Sequence, residues 1–176
     1  MKKALEDPSD ARGAYLAALR RLGRRDQSKE EIRRALARTG YEEAVVEAVL
    51  LRLTADRYLD DAGYAARVAR TRLRIDGLGR NRIRQDLRFR GVPKDAAEGG
   101  LAEALAEVPE AESLDRVAQR YWRNRVSDEP RNRLRKLWAY LVRRGFPSDL
   151  VRARLAELWP VWRDALDGLE APEGDE

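Results

Sequence analysis

The 176-residue chain contains no cysteine and no histidine. Without thiols there are no disulfides, thiol nucleophiles or cysteine-based zinc sets, and without imidazoles there is no histidine triad or acid–base pair. Lysine is scarce, with Lys2, Lys3, Lys29, Lys94 and Lys136 the only five among 36 Lys and Arg residues. β-branched residues are few (11 Val, 3 Ile, 3 Thr). No stretch alternates with period two, which argues against strands. No uninterrupted run of 18 apolar residues occurs, so no membrane span is expected, and residues 1–7 lack the apolar stretch of a signal peptide. A cytoplasmic protein is the expectation.

The chemistry-bearing remainder is equally thin. The five serines occupy no nucleophile elbow, and Gly77-Leu78-Gly79 has neither a preceding strand nor a Lys-Ser/Thr pair, so it reads as a turn. Asp60-Asp61 precedes a helix, where N-capping and the helix dipole account for it without a metal. No catalytic constellation, cofactor or metal set is found, and the chain is not expected to be an enzyme.

What is present is Ala, Leu, Glu and 31 arginines, a composition that favours an all-α fold. A repeat lies within it. Gly40, Gly91 and Gly145 are 51 and 54 residues apart. Eight residues before each stands Ile32, Ile83 or Leu137, and four before stands Leu36, Leu87 or Leu141. Tyr41, Val92 or Phe146 follows immediately, and Leu50, Leu101 or Leu155 comes ten residues later. The pattern predicts a helix ending at a glycine with left-handed backbone, an apolar corner and a second helix. Ser28-Lys29-Glu30-Glu31 reads as a capping box, and Pro93 and Pro147 sit where helices can begin.

A further helix is predicted before each pair, at about 12–25, 61–75 and 113–126, so the fold expected is an elongated array of three tandem three-helix repeats. The organisation is a flexible N-terminus at 1–11, repeats at 12–59, 60–107 and 113–162, an acidic join at 108–112 and a disordered acidic tail at 163–176. Gly99-Gly100 falls inside the sixth helix, where each glycine costs about 0.8–1 kcal/mol relative to alanine. That helix should be frayed, bent or packed very closely on a neighbour.

The overall charge of +5 conceals segregation. Residues 113–162 carry +7 and 163–176 carry −5, while 64–94 hold ten cations against Asp76 and Asp86. Helical spacing places Arg67, Arg70 and Arg74 on one stripe, and Arg80, Arg84 and Arg88 on another. Lys136 and Arg143 lie opposite the apolar face of the eighth helix, with Arg133 and Arg144 nearby and Tyr140 among them as a residue able to stack on a base. Surfaces of this kind bind phosphates by releasing counterions. The tail could fold back on them.

The central segment Arg57-Tyr58-Leu59-Asp60-Asp61, Tyr64-Ala65, Arg70-Thr71-Arg72-Leu73, Gly77-Leu78-Gly79, Arg82-Ile83, Leu87 and Gly91-Val92 resembles the signature of the RecX regulatory family. Tyr15-Leu16, Leu19-Arg20, Leu22, Arg25, Ser28, Glu31-Ile32 and Leu36 are similar to the family's opening. Leu137, Leu141 and Arg143-Arg144-Gly145-Phe146 extend the resemblance to roughly 14–158. It implies tandem three-helix units and a monomeric cytoplasmic modulator of the RecA recombinase, active in recombination, DNA repair and the SOS response. Such a protein binds RecA and single-stranded or double-stranded DNA, lies in the groove of the RecA–DNA filament, and inhibits ATP hydrolysis and strand exchange. The alternative expectation is a helical DNA-binding protein that acts without RecA.

Overall fold

The computed structural model describes residues 7–125 and 129–160. Among them are nine α-helices and no strand: α1 (Ala11–Leu22), α2 (Lys29–Thr39), α3 (Glu43–Ala55), α4 (Asp61–Thr71), α5 (Arg80–Phe89), α6 (Lys94–Glu107), α7 (Glu110–Arg123), α8 (Pro130–Arg143) and α9 (Ser148–Leu158). The fourth helix does not run on regularly to 75 as expected. After Thr71 it widens into a π-helical turn, Arg72–Asp76, which ends at Gly77 in left-handed conformation. The tail at 163–176 lies outside the described residues. Within the N-terminal segment expected to be flexible, Pro8 accepts a hydrogen bond from the Glu42 amide at 3.0 Å, and Asp10 caps α1 through the Gly13 amide at 2.8 Å.

The repeated offsets describe real corners. Gly40, Gly91 and Gly145 have φ of 107°, 72° and 88°, the region that side chains bearing Cβ avoid. The leucines and isoleucines eight and four residues before them are buried, as are Leu50, Leu101 and Leu155. Ser28 and Glu31 complete the predicted capping box of α2.

Contacts group the described residues into two units, 7–66 with 87–100, and 67–86 with 101–125 and 129–160. In the first, α1, α2 and α3 close over Ala14, Ala18, Ile32, Leu36, Val49, Leu50 and Leu53. In the second, α7, α8 and α9 enclose Leu114, Ala118, Leu134, Leu137, Trp138, Leu141, Phe146, Val151 and Leu155.

Each unit also contains one joint between consecutive repeats, and the two joints use corresponding parts. In the first, Ser28 Oγ donates to the Arg90 carbonyl at 2.6 Å. In the second, the Gly79 amide donates to the Arg144 carbonyl at 2.9 Å. The donors are 51 residues apart and the acceptors 54, the same intervals as the glycines. The first amide of α2, at Lys29, is capped by Asp61 Oδ1 at 3.0 Å. The first amide of α5, at Arg80, is capped by Glu110 Oε1 at 2.6 Å. Asp61 and Glu110 are both buried and both open the first helix of the next repeat. A carboxylate on a helix N-terminus satisfies an orphan donor and meets the positive end of the dipole.

Each joint closes on a glycine corner. A Cβ at Gly91 would stand 2.2 Å from Glu30 Cγ, and one at Gly145 would stand 2.3 Å from the Arg82 amide nitrogen. In the first joint the Tyr64 hydroxyl donates to Glu31 at 2.9 Å and accepts from Arg90 at 2.8 Å. Burial raises the Glu31 pKa, but hydrogen bonds from Arg25, the Ser28 amide and Tyr64 outweigh it and hold the carboxyl below its ordinary value.

Candidate nucleic-acid interface

Nine of the ten candidate residues belong to the second unit, and Arg88 belongs to the first. Several cations on the predicted stripes have intramolecular partners. Arg70 pairs with Glu107 at 2.5 Å and Glu103 at 3.3 Å. Arg80 forms an ion pair with buried Glu110, so its guanidinium belongs to the second joint. Arg84 bonds Asn81 at 3.1 Å. Arg144 ties the end of α8 to the π-helical turn by donating to the carbonyls of Asp76 and Gly77. It also donates to the Tyr140 hydroxyl at 3.0 Å. Arg67, Arg74 and Arg88 are exposed.

The feature that gathers candidates together is a cleft of about 540 Å³ in the second unit. One wall is the end of the π-helical turn, at Ile75, Asp76 and Gly77. The other walls are α7, with Arg116, Val117, Arg120, Tyr121 and Asn124, and α8, with Tyr140 and Arg144; Arg125 completes the lining. A shallower depression continues from it past Arg135, Lys136, Ala139 and Arg143, sharing Tyr121, Arg125 and Tyr140. The rings of Tyr121 and Tyr140 lie 4.9 Å apart, inclined by 33°. Arg125 stands 4.9 Å from the Tyr121 ring and Arg144 stands 5.3 Å from the Tyr140 ring. The tyrosines are half-buried, whereas Arg116, Arg120, Arg125, Arg135, Lys136 and Arg143 are exposed. The tyrosines are therefore less exposed than most of the cations beside them.

The lining is strongly positive. Among the described residues its one carboxylate is Asp76, which bonds Arg72 at 2.6 Å, and Arg72 also reaches Asp86 at 2.9 Å. Asp76 first, then Asp86, holds the Arg72 guanidinium above its ordinary pKa, and of the two ion pairs the one to Asp86 ties the π-helical turn to α5. Ser113 and Arg116 fasten the same wall from α7 by donating to the Leu73 carbonyl at 2.5 and 2.9 Å. A π-helical turn beside such a cleft is a common functional placement.

Sequence reasoning missed Arg116, Arg120, Tyr121, Arg125 and Arg135. Arg116 and Arg120 at i, i+4 were a legible basic stripe of α7. Tyr121 was not legible, because it joins Tyr140 only through the packing of two helices. Arg120 and Arg143 make no side-chain hydrogen bond or ion pair among the described residues, which leaves their forks available to anions. Among the same residues no group of acids could hold a metal ion and no helix is long and apolar enough to cross a membrane.

The described residues form a helical-repeat protein of three-helix units, with an arginine-rich cleft lined by two tyrosines in its second unit. Models of the RecX first, second and third three-helix domains match residues 14–53, 60–101 and 109–155. The regulatory protein RecX of Prosthecochloris aestuarii is 38% identical over 150 residues, covering 85% of this chain and 96% of that protein. A crystal structure of RecX from Lactobacillus salivarius superposes with a TM-score of 0.76 at 23% identity, covering 85% of this chain and 96% of that one. A crystal structure of a regulatory protein RecX gives 0.74 at 27% identity, covering 86% and 73%. The chain belongs to the RecX family of regulatory proteins.

Proposed function

We propose that this protein is a monomeric cytoplasmic modulator of the RecA recombinase that binds RecA–DNA filaments along their groove and suppresses ATP hydrolysis and strand exchange during recombination and repair. Family membership supports the partner. The observation that carries the mode of action is the cleft of the second unit, whose cations include Arg120 and Arg143, without acidic partners among the described residues. In this reading those side chains, with Lys136, meet phosphates, and exposed Arg67, Arg74, Arg84 and Arg88 contact the filament. Arg70, Arg80 and Arg144 act inside the fold. A body that holds one filament geometry more tightly than another shifts the filament toward it and stalls turnover.

The decisive measurement is single-stranded-DNA-dependent RecA ATPase titrated with the protein, beside a RecA-free DNA-binding control at matched salt. Suppression that is lost in a folded Arg120→Glu/Arg143→Glu variant supports the proposal. Undiminished ATPase at saturating protein refutes it. The basic cleft also supports a second reading, a DNA binder that works without RecA, in which DNA affinity would be the same whether or not RecA is present.

A further inference from the structure

We propose that the cleft between α7, α8 and the π-helical turn is a nucleotide site for single-stranded nucleic acid, holding an unpaired base against the Tyr121–Tyr140 ring pair with its flanking phosphates on Arg120 and Arg143. The inference rests on the nucleic-acid reading of this surface and adds which form of the polymer it selects. A surface serving phosphates alone needs only exposed cations. This one also encloses about 540 Å³, far more room than a phosphate needs and within the range of small-molecule sites.

The arrangement matches the layout of a nucleotide. Half-buried tyrosines line the cleft beside exposed arginines, so an apolar planar group can meet the rings while its charged backbone meets the cations. Ile75 and Val117 supply apolar wall, and Asn124 supplies an amide able to donate to or accept from a base edge. Arg125, already over the Tyr121 ring, can lie against an entering base, because a guanidinium plane stacks on bases as it does on rings. Bases in a duplex have both faces covered by neighbours, so only an unpaired one can occupy the cleft without unstacking.

The test uses the full chain without RecA, so its outcome is independent of the ATPase result. Fluorescence anisotropy compares a thymidine oligonucleotide of about fifteen residues, the scale of single-strand sites, with an abasic oligonucleotide of equal length and a duplex of equal phosphate number. The thymidine strand should bind about tenfold more tightly than the abasic one, with parallel salt dependence because the phosphate contacts are common to both. The duplex should resemble the abasic strand. Tyr121→Leu should erase the preference while leaving abasic binding intact, and Tyr121→Phe should restore it. Photo-crosslinking of a 5-iododeoxyuridine strand should map to Tyr121 or Tyr140. Equal affinity for thymidine and abasic strands, duplex binding as tight as the thymidine strand, or crosslinks confined to another surface would each overturn the site. If Tyr121→Leu does not fold, the comparison of ligands on the unmodified protein decides alone.

Discussion

Two adjacent glycines in α6 separate the effect of helix propensity from that of packing. Both occupy the interior of one continuous helix, Lys94–Glu107. On propensity alone each Gly→Ala change should stabilise the protein by about 0.8–1 kcal/mol. Their surroundings differ completely. A Cβ at Gly99 meets nothing within 4 Å, whereas a Cβ at Gly100 would stand 2.6 Å from the Ala66 nitrogen, 2.7 Å from Ala65 Cβ and 2.9 Å from the Ala62 carbonyl. Two of those three atoms are backbone of α4, which cannot rotate aside as a side-chain tip would. Overpacking of this kind costs roughly 1–3 kcal/mol, enough to cancel or exceed the propensity gain. Gly99→Ala should therefore raise the melting temperature by about 2–4 °C, and Gly100→Ala should leave it unchanged or lower it by up to about 8 °C. Far-UV circular dichroism melts of both variants, with urea titrations to check the transition, measure the difference. Equal stabilisation by the two substitutions would refute the close helix contact and leave propensity as the whole explanation.

The joints give two further expectations. Glu110→Ala removes the acceptor for the Arg80 amide and the partner of its guanidinium, and should destabilise by about 2 kcal/mol, as loss of a charged hydrogen bond does. Glu110→Gln keeps an acceptor oxygen and should cost less, and urea denaturation of the pair decides; identical losses would show that the cap has no role. The Glu31 carboxyl is held below its ordinary value of 4.5 in the folded protein, so its contribution is complete above that pH and is lost as pH falls through the lower folded value. Glu31→Gln should flatten the acid limb of the stability profile below about pH 4.5 and lower stability at neutral pH. An acid limb identical to that of the parent would contradict the assignment.

The parts of the fold that were legible from sequence depend on local rules repeated at a fixed interval. Gly145 and Leu141 could be placed because a left-handed corner and a buried position four residues earlier recur around Gly40 and Gly91. Gly99-Gly100 allowed three outcomes, and for Gly100 close packing is the one realised, since only the folded neighbour α4 distinguishes them. The candidate surface was less legible. Helical spacing identified cations on stripes, but an arginine's partner lies on another element, so Arg80 and Arg70 looked like free positive charge until Glu110, Glu103 and Glu107 were placed beside them. Tyr140 was identifiable by type, whereas its partner Tyr121, nineteen residues away on another helix, carried no local signal.

The caps explain why Asp60 and Asp61 stand together. Asp60 accepts from the amides of Ala62 and Gly63 at 3.1 Å and so caps its own helix. Asp61 turns away and caps α2 of the preceding repeat. At the start of α7 the task is divided differently: Pro109 provides no side-chain cap, and Glu110 is given over to α5. The second helix of the third repeat, α8, is capped locally instead, with Glu129 accepting from the amides of Arg131 and Asn132 at 3.1 and 3.0 Å. A helix N-terminus requires an acceptor whatever its source. In α2 and α5 the acceptor for the first amide belongs to the following repeat, beside the Ser28–Glu31 capping box that α2 makes for itself, so that amide is satisfied only when the next repeat is docked. The acid that makes a joint is therefore also part of the helix it completes, and a change at Asp61 or Glu110 should loosen the preceding repeat as well as the contact between repeats.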